Sequence, residues 1–505
     1  MNDLLSAPAA GTRWRLLHES LVAFAGLGVV AALEIWITRN AAVISHPMWL
    51  DECVSSLLLT DPGFRHMVAA IHGGVDTNGP AFYVMAWPVV HALGASTVMA
   101  LRLITAAAML IALTGMYATC RRFVEPGRAA VGALAIATHP AVLVQTWQVR
   151  MYGFWLAAAA WFCAYTVFVA PQARWRTRLA GCLLAMLLVT AHWLGIFALV
   201  LVSVTALVVT RRTGSRRLNH ALPLAVGLAT LGLCLPLIAS QRHILTAPTW
   251  IEPANASALL AQLRGILAVP SMGVVAMYVV LRAGVNGERR MRVTERPAML
   301  LPVLVLLLYP VTLVAMSFTM QSVLLERYML PTVIALAVIV AVSALPLRSW
   351  PGASTGALAA GALVVIGCLE LNGLRAVNRQ ADERAVRVTA ISRRVLAAGG
   401  HLVFARRFEA YPLLQSRPEL ADSVALLDFP ATGKTLMRRT IFERDLGRAV
   451  ARFDPRYHLV AEDVLRTWGR FTIVTNSDEV AELRRLLPGF RVTAVGPDEF
   501  LADPR

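Results

Sequence analysis

Residues 97–119 read TVMALRLITAAAMLIALTGMYAT, and the basic pair Arg121–Arg122 follows almost directly. An apolar run of about 20 residues is what an α-helix needs to cross the hydrocarbon core of a bilayer. Basic residues just beyond such a run mark its cytoplasmic end. The stretch therefore predicts a membrane helix whose C-terminal end lies in the cytoplasm.

Comparable apolar segments recur through most of the chain. The chain is 57% hydrophobic and only 15% charged, which is more apolar than ordinary soluble proteins of this length. The predicted segments are 16–38, 79–95, 97–119, 129–147, 153–170, 179–192, 194–210, 221–239, 259–281, 299–320, 328–346 and 354–372. The sequence therefore predicts a mostly α-helical, polytopic membrane protein, and we interpret 16–38 as an uncleaved first membrane helix.

Clusters of arginine between the segments set the direction of each crossing. The clusters that we assign to the cytoplasm are Arg121/Arg122/Arg128, Arg174/Arg176/Arg178, Arg211/Arg212/Arg216/Arg217, Arg289/Arg290/Arg292/Arg296 and Arg348. To keep all of them inside, one of the segments 79–95 and 97–119 must lie along or dip into the membrane, and we choose 79–95 because it is short and Pro80, Pro88 and Gly94 interrupt it. The 179–210 run must be two helices that break near His192–Gly195. The result is about eleven spans, with the N-terminus cytoplasmic.

The same topology places five polar loops on one side of the membrane. These are the loops near Asp51, Arg150, His192, Trp250 and Arg327, and they all face outside. The C-terminal part of the chain is then extracytoplasmic as well. For a bacterial chain this means a multi-pass protein of the cytoplasmic (inner) membrane.

After residue 376 the sequence changes to that of a small soluble α/β domain. Residues 380–398 are predicted to be helical, and short apolar runs read as strands. The predicted strands are His401–Phe404, Val424–Leu427, Phe471–Val474 and Arg491–Val495. We therefore divide the chain into a transmembrane domain, 1–375, and an extracytoplasmic domain, 376–505.

The charge and the cysteines exclude other classes of protein. The net charge is +17, but the basic residues flank apolar segments, so we expect contact with membrane lipids and no nucleic acid. The six cysteines form no CxxC or Cys/His cluster, and most lie in or beside apolar runs. A disulfide framework and a cysteine zinc site are therefore not expected.

The acidic pair Asp51–Glu52 is the first candidate for chemistry. It lies in the first outer loop between apolar residues, where a carboxylate is costly unless it has a task. Such a pair can act as a base, bind a metal ion or remain solvated. Arg150 and Arg327 lie in other outer loops, and their guanidinium groups suit phosphate oxygens, although interfacial anchoring is an alternative.

Further polar and aromatic residues lie in the same outer loops. His192 lies at the predicted helix break, where a structural role is the alternative. Asp76 and Asn78 lie in a turn before a helix, and they can either start that helix or line a pocket. Tyr83 follows this turn, and Tyr152 and Tyr328 lie near the outer ends of helices, where a role as interfacial anchors is the alternative.

Five of these stretches occur in a familiar order. They are Asp51-Glu52, Asn78-Gly79-Pro80-Ala81-Phe82-Tyr83, Gln148-Val149-Arg150-Met151-Tyr152, Thr190-Ala191-His192-Trp193 and Arg327-Tyr328-Met329-Leu330-Pro331. In this order the chain resembles the GT-C class of integral-membrane glycosyltransferases, and most closely the bacterial protein O-mannosyltransferase and aminoarabinose transferase group. The usual His before the Pro80 stretch is absent, and the stretch at 148–152 is one residue shorter and lacks its Glu.

The resemblance implies a sugar transfer from a polyprenyl-phosphate donor to an acceptor hydroxyl on a lipid, glycan or protein. It implies that Asp51 is the general base and that Glu52 orients the acceptor or helps to hold a divalent metal ion with Asp51. Arg150, Arg327, Tyr328 and His192 would bind the donor phosphate, and Asp76, Asn78, Tyr83 and Tyr152 would contact the substrates. The implied displacement inverts the anomeric carbon.

Two other classes of function remain compatible with the sequence. A transporter or flippase for a lipid-linked sugar would have a similar number of spans, but it needs ionisable residues deep in the membrane. A membrane-anchored binding or assembly protein would use the C-terminal domain as its working part. The notable charges lie at the outer ends of helices, which favours chemistry at the membrane surface.

Overall fold

The computed structural model describes most of the chain between residues 48 and 505. The described ranges are 48–95, 97–137, 139–169, 173–210, 214–241, 255–267, 297–319, 322–343, 383, 386–405, 407–428, 437–475 and 480–505. The predicted spans 16–38 and 354–372, the second half of 259–281, the loop near Trp250 and the 375/376 boundary lie outside these residues.

The first part of the chain is helical in every described stretch. The helices described up to residue 267 are α1 Leu50–Thr60, α2 Phe64–His72, α3 Ala81–Ala92, α4 Val98–Arg121, α5 Pro126–Ala137, α6 Pro140–Trp147, α7 Tyr152–Phe168, α8 Trp175–Ala191, α9 Gly195–Val209, α10 Gly214–Ser240 and α11 Ala256–Leu267. After the break come α12 Leu301–Leu304, α13 Tyr309–Thr319 and α14 Thr332–Ser343, with 3₁₀ turns at Pro297–Leu300, Val305–Leu308 and Glu326–Met329.

Helices of this part alternate between long spans and short segments. Three helices are long and apolar enough to cross a membrane, and a bent pair, α5 with α6, raises this number to four among the described residues. Helix α3 has 12 residues, so it is about 18 Å long and too short for a ~30 Å hydrocarbon core. These helices neither confirm nor contradict the prediction of about eleven spans.

Two expectations about helix breaks have different outcomes. Helix α8 ends at Ala191 and α9 begins at Gly195, which confirms the predicted break at His192–Gly195. The segment 129–147 was expected to be continuous, but α5 and α6 meet there at 66°. The reason is local: Pro140 cannot continue a helix, and the His139 ring accepts a hydrogen bond from the Ala141 N–H to start a new one.

The C-terminal part is a six-stranded sheet with helices, as the sequence predicted in outline. Its elements are a helix at 386–397 (α15), β1 Leu402–Phe404, α16 Arg407–Ser416, β2 Val424–Leu427, α17 Met437–Phe453, β3 Leu459–Val460, α18 Glu462–Trp468, β4 Phe471–Val474, α19 Val480–Leu486, β5 Phe490–Gly496 and β6 Glu499–Pro504. The strand order is β3-β2-β1-β4-β6-β5.

The sheet is mixed, and its direction changes at β4. Strands β3, β2, β1 and β4 are parallel, whereas β6 runs antiparallel to both β4 and β5. The four predicted strands are confirmed, but β3 and β6 were not predicted. Strand β3 has two residues, and β6 contains Asp503 and ends at Pro504, so neither shows the alternating apolar pattern that identifies a strand.

The sheet part packs directly against the first described helices. The Gln415 side chain in α16 donates a hydrogen bond of 2.8 Å to the hydroxyl of Ser56 in α1. The Phe453 ring at the end of α17 lies edge-on to the His66 ring of α2, with 5.8 Å between centroids. The C-terminal part therefore supports α1, the helix that carries Asp51.

Candidate functional site

Helix α1 begins at the acidic pair that the sequence singled out. The backbone N–H of Trp49 donates to a carboxylate oxygen of Glu52 at 3.1 Å, so Glu52 closes the first turn of the helix. Asp51 and Glu52 both lie in that turn, where the positive end of the helix dipole stabilises negative charge. Because successive residues of a helix point about 100° apart, the two carboxylates face different surroundings.

Glu52 is directed into the protein interior. It is fully buried, and its second carboxylate oxygen accepts a hydrogen bond of 3.0 Å from the backbone N–H of Val149. The guanidinium of Arg102 lies 3.5 Å from the same oxygen. One oxygen of Glu52 therefore closes the first turn of α1 and the other joins α1 to the loop before α7; its expected role in orienting an acceptor stays a prediction.

Arg150 holds the N-terminal end of the same helix. One of its terminal nitrogens (Nη1) donates to the backbone oxygen of Asp51 at 3.1 Å and to the Ser55 hydroxyl at 2.9 Å. The same nitrogen lies 2.7 Å from a carboxylate oxygen of Asp76. Since the Arg150 side chain is only 6% exposed, its geometry is that of a clamp on α1 rather than of an open anion site.

Asp76 is the centre of a buried hydrogen-bond network. It accepts hydrogen bonds from the Tyr83 hydroxyl, from the Asn78 backbone N–H at 2.8 Å and from the Asn78 side-chain amide at 2.6 Å. Burial by itself raises the pKa of Asp76, but the positive charge of Arg150 and these hydrogen bonds outweigh it, and the pKa lies below its usual value. Asp76 therefore joins Asn78, Tyr83 and Arg150, and the expected contacts of Asp76, Asn78 and Tyr83 with substrate stay a prediction.

The loop that carries Asp76 is fixed by close contacts to two other helices. The Gln241 side-chain amide donates to the backbone oxygens of Ile71 and Asp76, at 2.8 and 2.9 Å. Gly79 approaches the end of α8 so closely that a Cβ atom there would lie 1.9 Å from the Thr190 carbonyl oxygen. Only glycine fits at this position, which explains the Asn-Gly-Pro sequence of the turn.

Asp51 and Arg327 form a second, more open ion pair. A terminal nitrogen of Arg327 lies 3.3 Å from a carboxylate oxygen of Asp51. The side chains are 22% and 29% exposed, respectively. The structure therefore brings a carboxylate of α1 and a guanidinium of the turn before α14 together where a ligand can reach both.

Aromatic rings surround the guanidinium of Arg327. The central carbon of that group lies 5.8 Å from the centre of the Tyr152 ring and 5.6 Å from the centre of the Tyr328 ring, so both rings favour the positive charge. Tyr152 is buried, and its hydroxyl has no hydrogen-bond partner among the described residues.

His192 completes this aromatic wall in the break between α8 and α9. Its ring stacks on Trp155 with 4.6 Å between centroids, and its Nδ1 accepts a hydrogen bond of 3.2 Å from the Leu194 N–H. Burial, reinforced by the charge of Arg150, lowers the pKa of His192 to about 3. The neutral ring therefore carries its proton on Nε2, which is buried and finds no acceptor within the described residues.

The described residues do not fit a metal centre at Asp51 and Glu52. No group of three or more His, Cys, Asp or Glu side chains with suitable spacing occurs among them. Both oxygens of Glu52 are already occupied by backbone N–H groups, and Asp51 faces a guanidinium. A divalent cation needs about four to eight ligands, so we derive no step through a metal.

Several members of this cluster were not singled out in the sequence. Ser55 lies four residues after Asp51 on the same face of α1, so helical spacing from Asp51 indicates it. Trp155 lies three residues after Tyr152 on α7 and is found by the same argument. Gln241 and Arg102 carry no such signal, because their contacts to the site depend on how distant helices pack.

Comparison with known proteins gives the fold a name. No family model matches the chain, and no curated protein matches it significantly. The crystal structure of ArnT from Cupriavidus metallidurans bound to undecaprenyl phosphate is similar over 98% of both chains, with a TM-score of 0.61 and 14% sequence identity. The apo state of the same ArnT is similar over 96% of this chain and 98% of that chain, with the same TM-score and identity.

At this level of identity the likeness concerns the fold. The chain has a GT-C-like fold, which confirms the fold that the order of its motifs predicted. Its apolar helices and these neighbours identify it as a multi-pass membrane protein.

Proposed function

We propose that this chain is a membrane glycosyltransferase that moves a sugar from a polyprenyl-phosphate donor to an acceptor hydroxyl. The observation that carries the proposal is the part-exposed pair of Asp51 and Arg327, 3.3 Å apart on a buried scaffold. A proton acceptor and an anion-binding group side by side are what such a transfer requires. The ArnT structure has a similar fold and holds undecaprenyl phosphate, which supports a lipid-linked donor.

Arg327 is the residue that binds the donor phosphate. Its guanidinium stays charged and presents a planar set of donors that matches phosphate oxygens. It is the more exposed of the two arginines in the cluster, since Arg150 is 6% exposed and has one terminal nitrogen bonded to three oxygens. In this proposal Arg327 contacts the phosphate directly, whereas Arg150 acts through the position of α1.

Asp51 is the general base in this proposal. It accepts the proton of the acceptor hydroxyl while the hydroxyl oxygen forms a bond to the anomeric carbon. The bond between that carbon and the phosphate oxygen breaks, and the electron pair leaves with the polyprenyl phosphate. Arg327 stabilises the charge that grows on the phosphate, and the displacement inverts the anomeric carbon.

The ion pair of Asp51 and Arg327 indicates how donor binding makes Asp51 available as a base. While Arg327 is bound to Asp51, the carboxylate has a cation as its partner. The donor phosphate is a diester with one negative charge and two free oxygens that match the guanidinium, so it competes with Asp51 for Arg327, and its binding releases Asp51 to accept a proton. Base activation is thereby coupled to the presence of the donor, which limits wasteful reaction with water.

The remaining cluster residues position these two groups. Arg150 holds the outer end of α1 through the backbone oxygen of Asp51, and Asp76 holds Arg150. The Nε2–H of His192 is a neutral donor next to Tyr328, whose ring lies edge-on at 5.2 Å, and it is available to a phosphate or sugar oxygen. Tyr152 and Tyr328 form the wall that keeps the Arg327 guanidinium in place.

We also propose the setting of this reaction. The site faces the extracytoplasmic side of a bacterial cytoplasmic membrane, the N-terminus is cytoplasmic, and residues 376–505 form an outer domain next to the transmembrane domain 1–375. The contact between Gln415 and Ser56 supports placing that domain on the same side as Asp51. An exposed position such as Glu419, replaced by Cys, should react with a membrane-impermeant maleimide in intact cells; protection there would reverse this orientation.

A reconstitution assay tests the function itself. The purified full-length chain is placed in proteoliposomes with radiolabelled undecaprenyl-phosphate sugars and a membrane extract that supplies acceptors. We expect label on an acceptor from the wild-type chain and none from Asp51→Asn. Label that crosses the bilayer while still on its lipid would indicate a flippase, and label that does neither would favour a binding protein.

A further inference from the structure

A small cavity, named the side pocket here, is lined in part by Arg327 but by none of the rings of Tyr152, Tyr328 and His192. Its volume is about 290 Å³, and its polar lining consists of Gln145, Gln262, Glu326 and Arg327. Pro140 and Ala141 at the start of α6 form part of its apolar wall. The volume is close to the lower end of the range for small-molecule sites, ~300–1,000 Å³.

Two hydrogen-bond acceptors in the side pocket lack donors. The side-chain oxygen of Gln145 is buried, the residue is 5% exposed, and no group of the described residues donates to it. A buried polar oxygen without a donor costs roughly 1–3 kcal/mol, so such an atom indicates a partner that is supplied from outside the chain.

Glu326 is the second of these acceptors. Its carboxylate makes neither an ion pair nor a hydrogen bond within the described part of the chain, although Arg327 is its neighbour and pairs with Asp51 instead. Burial raises the pKa of Glu326. Gly265 of α11 leaves room for this carboxyl group, because a Cβ atom there would lie 2.8 Å from the Glu326 carboxyl carbon.

The chemistry of the lining selects the kind of ligand. Acceptors without donors favour a group that brings several hydrogen-bond donors, such as the hydroxyls of a sugar. The negative charge of Glu326 disfavours a phosphate inside the pocket, whereas Arg327 at its edge favours one. A molecule that has hydroxyl groups directly next to a phosphate fits both conditions.

We propose that the side pocket binds the sugar ring of the lipid-linked donor, with hydroxyl groups donating to Gln145 and Glu326 while the phosphate rests on Arg327. The proposal depends on the proposed function, since it names the subsite that recognises the sugar of the donor. The donor is favoured over the acceptor because Arg327 is a wall of the pocket, and the donor is the substrate that must have its sugar bonded to a phosphate. Gln145 and Glu326 are then the residues that determine which sugar is used.

The test compares the affinity for bare and glycosylated lipid. The full-length protein in nanodiscs is given radiolabelled undecaprenyl phosphate, and unlabelled undecaprenyl phosphates that carry glucose, mannose, N-acetylglucosamine or arabinose compete for it. We expect the wild type to bind at least one of them about tenfold more tightly than the bare lipid. Gln145→Leu and Glu326→Gln should each abolish most of this preference and leave affinity for the bare lipid unchanged.

The outcomes separate this proposal from the function on which it rests. If the wild type binds bare lipid but prefers none of the four glycolipids, or if the preference survives both substitutions, the sugar subsite is refuted. If the wild type fails to bind even the bare lipid, the proposed function fails first. Glu419→Gln, which changes an exposed carboxylate of the C-terminal part, is the matched control and should keep the full preference.

Discussion

Arg150–Asp76 and Arg327–Asp51 are two arginine–aspartate pairs made of the same functional groups in different surroundings. In the first pair the side chains are 6% and 3% exposed, the contact is 2.7 Å, and Tyr83 and Asn78 supply further hydrogen bonds to the carboxylate. In the second pair the side chains are 22% and 29% exposed, and the contact is 3.3 Å.

The difference between the pairs separates support from reaction. A buried pair cannot lose one partner without leaving an uncompensated charge, so the Arg150–Asp76 pair is fixed. A part-exposed pair contributes little to stability and can exchange its partner for a ligand. The open pair is therefore the one that we expect to bind substrate, and the buried pair the one that keeps α1 in place.

The largest expected effect on catalysis comes from Asp51→Asn. The amide has nearly the same shape as the carboxylate but cannot take the acceptor proton, so turnover should fall by roughly 10²–10⁴-fold. Single-turnover transfer by the purified protein measures this. Thermal stability should change little, because Asp51 lies on the open pair.

A control on the neighbouring carboxylate sharpens this result. Glu52→Gln keeps an oxygen for one backbone N–H but weakens the junction between α1 and the loop at Val149. It should lower stability and not abolish transfer in the protein that remains folded. Near-normal turnover by Asp51→Asn, or a complete catalytic loss in folded Glu52→Gln, would exchange the roles of these two residues.

The second prediction breaks the buried pair. Arg150→Met leaves Asp76 without its cation and should reduce the free energy of unfolding by about 3–5 kcal/mol. Transfer activity should also fall, because the backbone of Asp51 loses its donor. Denaturation in detergent followed by helical circular dichroism, together with the transfer assay, measures both effects.

The double variant Arg150→Met/Asp76→Asn is the matched control. Removing both charges costs less than removing one, so part of the lost stability should return. Activity should stay low, since the amide at 76 cannot restore the hydrogen bond to Asp51. A double variant whose loss of unfolding free energy exceeds the sum of the two single losses would contradict the clamp.

The contrast between Asp51 and Glu52 shows why the sequence alone left roles open. Both acids were candidates, and adjacency suggested that they act together. On a helix, however, neighbours point about 100° apart, and which direction is inward depends on the packing of α7 and α4. The burial of Glu52 comes from Val149 and Arg102, which are 97 and 50 positions away in the chain and so leave no local pattern.

The fold was more accessible to prediction than the site. Apolar runs and arginine clusters identified the helices, and the break at His192–Gly195 followed from the need to keep flanking charges on one side. The bend between α5 and α6 was missed because 129–147 is mostly apolar and long enough for one span, and the effect of Pro140 on a span depends on neighbouring helices. Motif order indicated which loops meet, but not which side chain binds which.

The third prediction concerns Arg327, the cation of the part-exposed ion pair. Arg327→Gln should lower kcat by about 10²–10³-fold, because the growing charge on the leaving phosphate loses its donor, and it should also weaken donor binding. Arg327→Lys keeps the charge without the planar fork and should recover part of the rate. Initial rates at a series of donor concentrations separate the two effects; unchanged kinetics in Arg327→Gln would make it an interfacial anchor only.

The smallest expected effect is a dependence of stability on pH that belongs to the buried pair. The pKa of Asp76 is lower in the folded chain than its ordinary value of 3.8, so the ion pair stabilises the fold fully above about pH 4 and loses this contribution as the pH falls through the folded value. Melting temperatures of wild type and Asp76→Asn, measured from pH 7 to pH 3, should therefore differ by a constant amount down to about pH 4 and converge below it. The Asp51→Asn variant is the comparison, and it should run parallel to the wild type because it leaves the buried pair intact. A wild type that instead gains stability relative to Asp76→Asn as the pH falls from neutral would mean that Asp76 holds its proton in the folded chain, and the buried clamp would then be a neutral hydrogen-bond network without an ion pair.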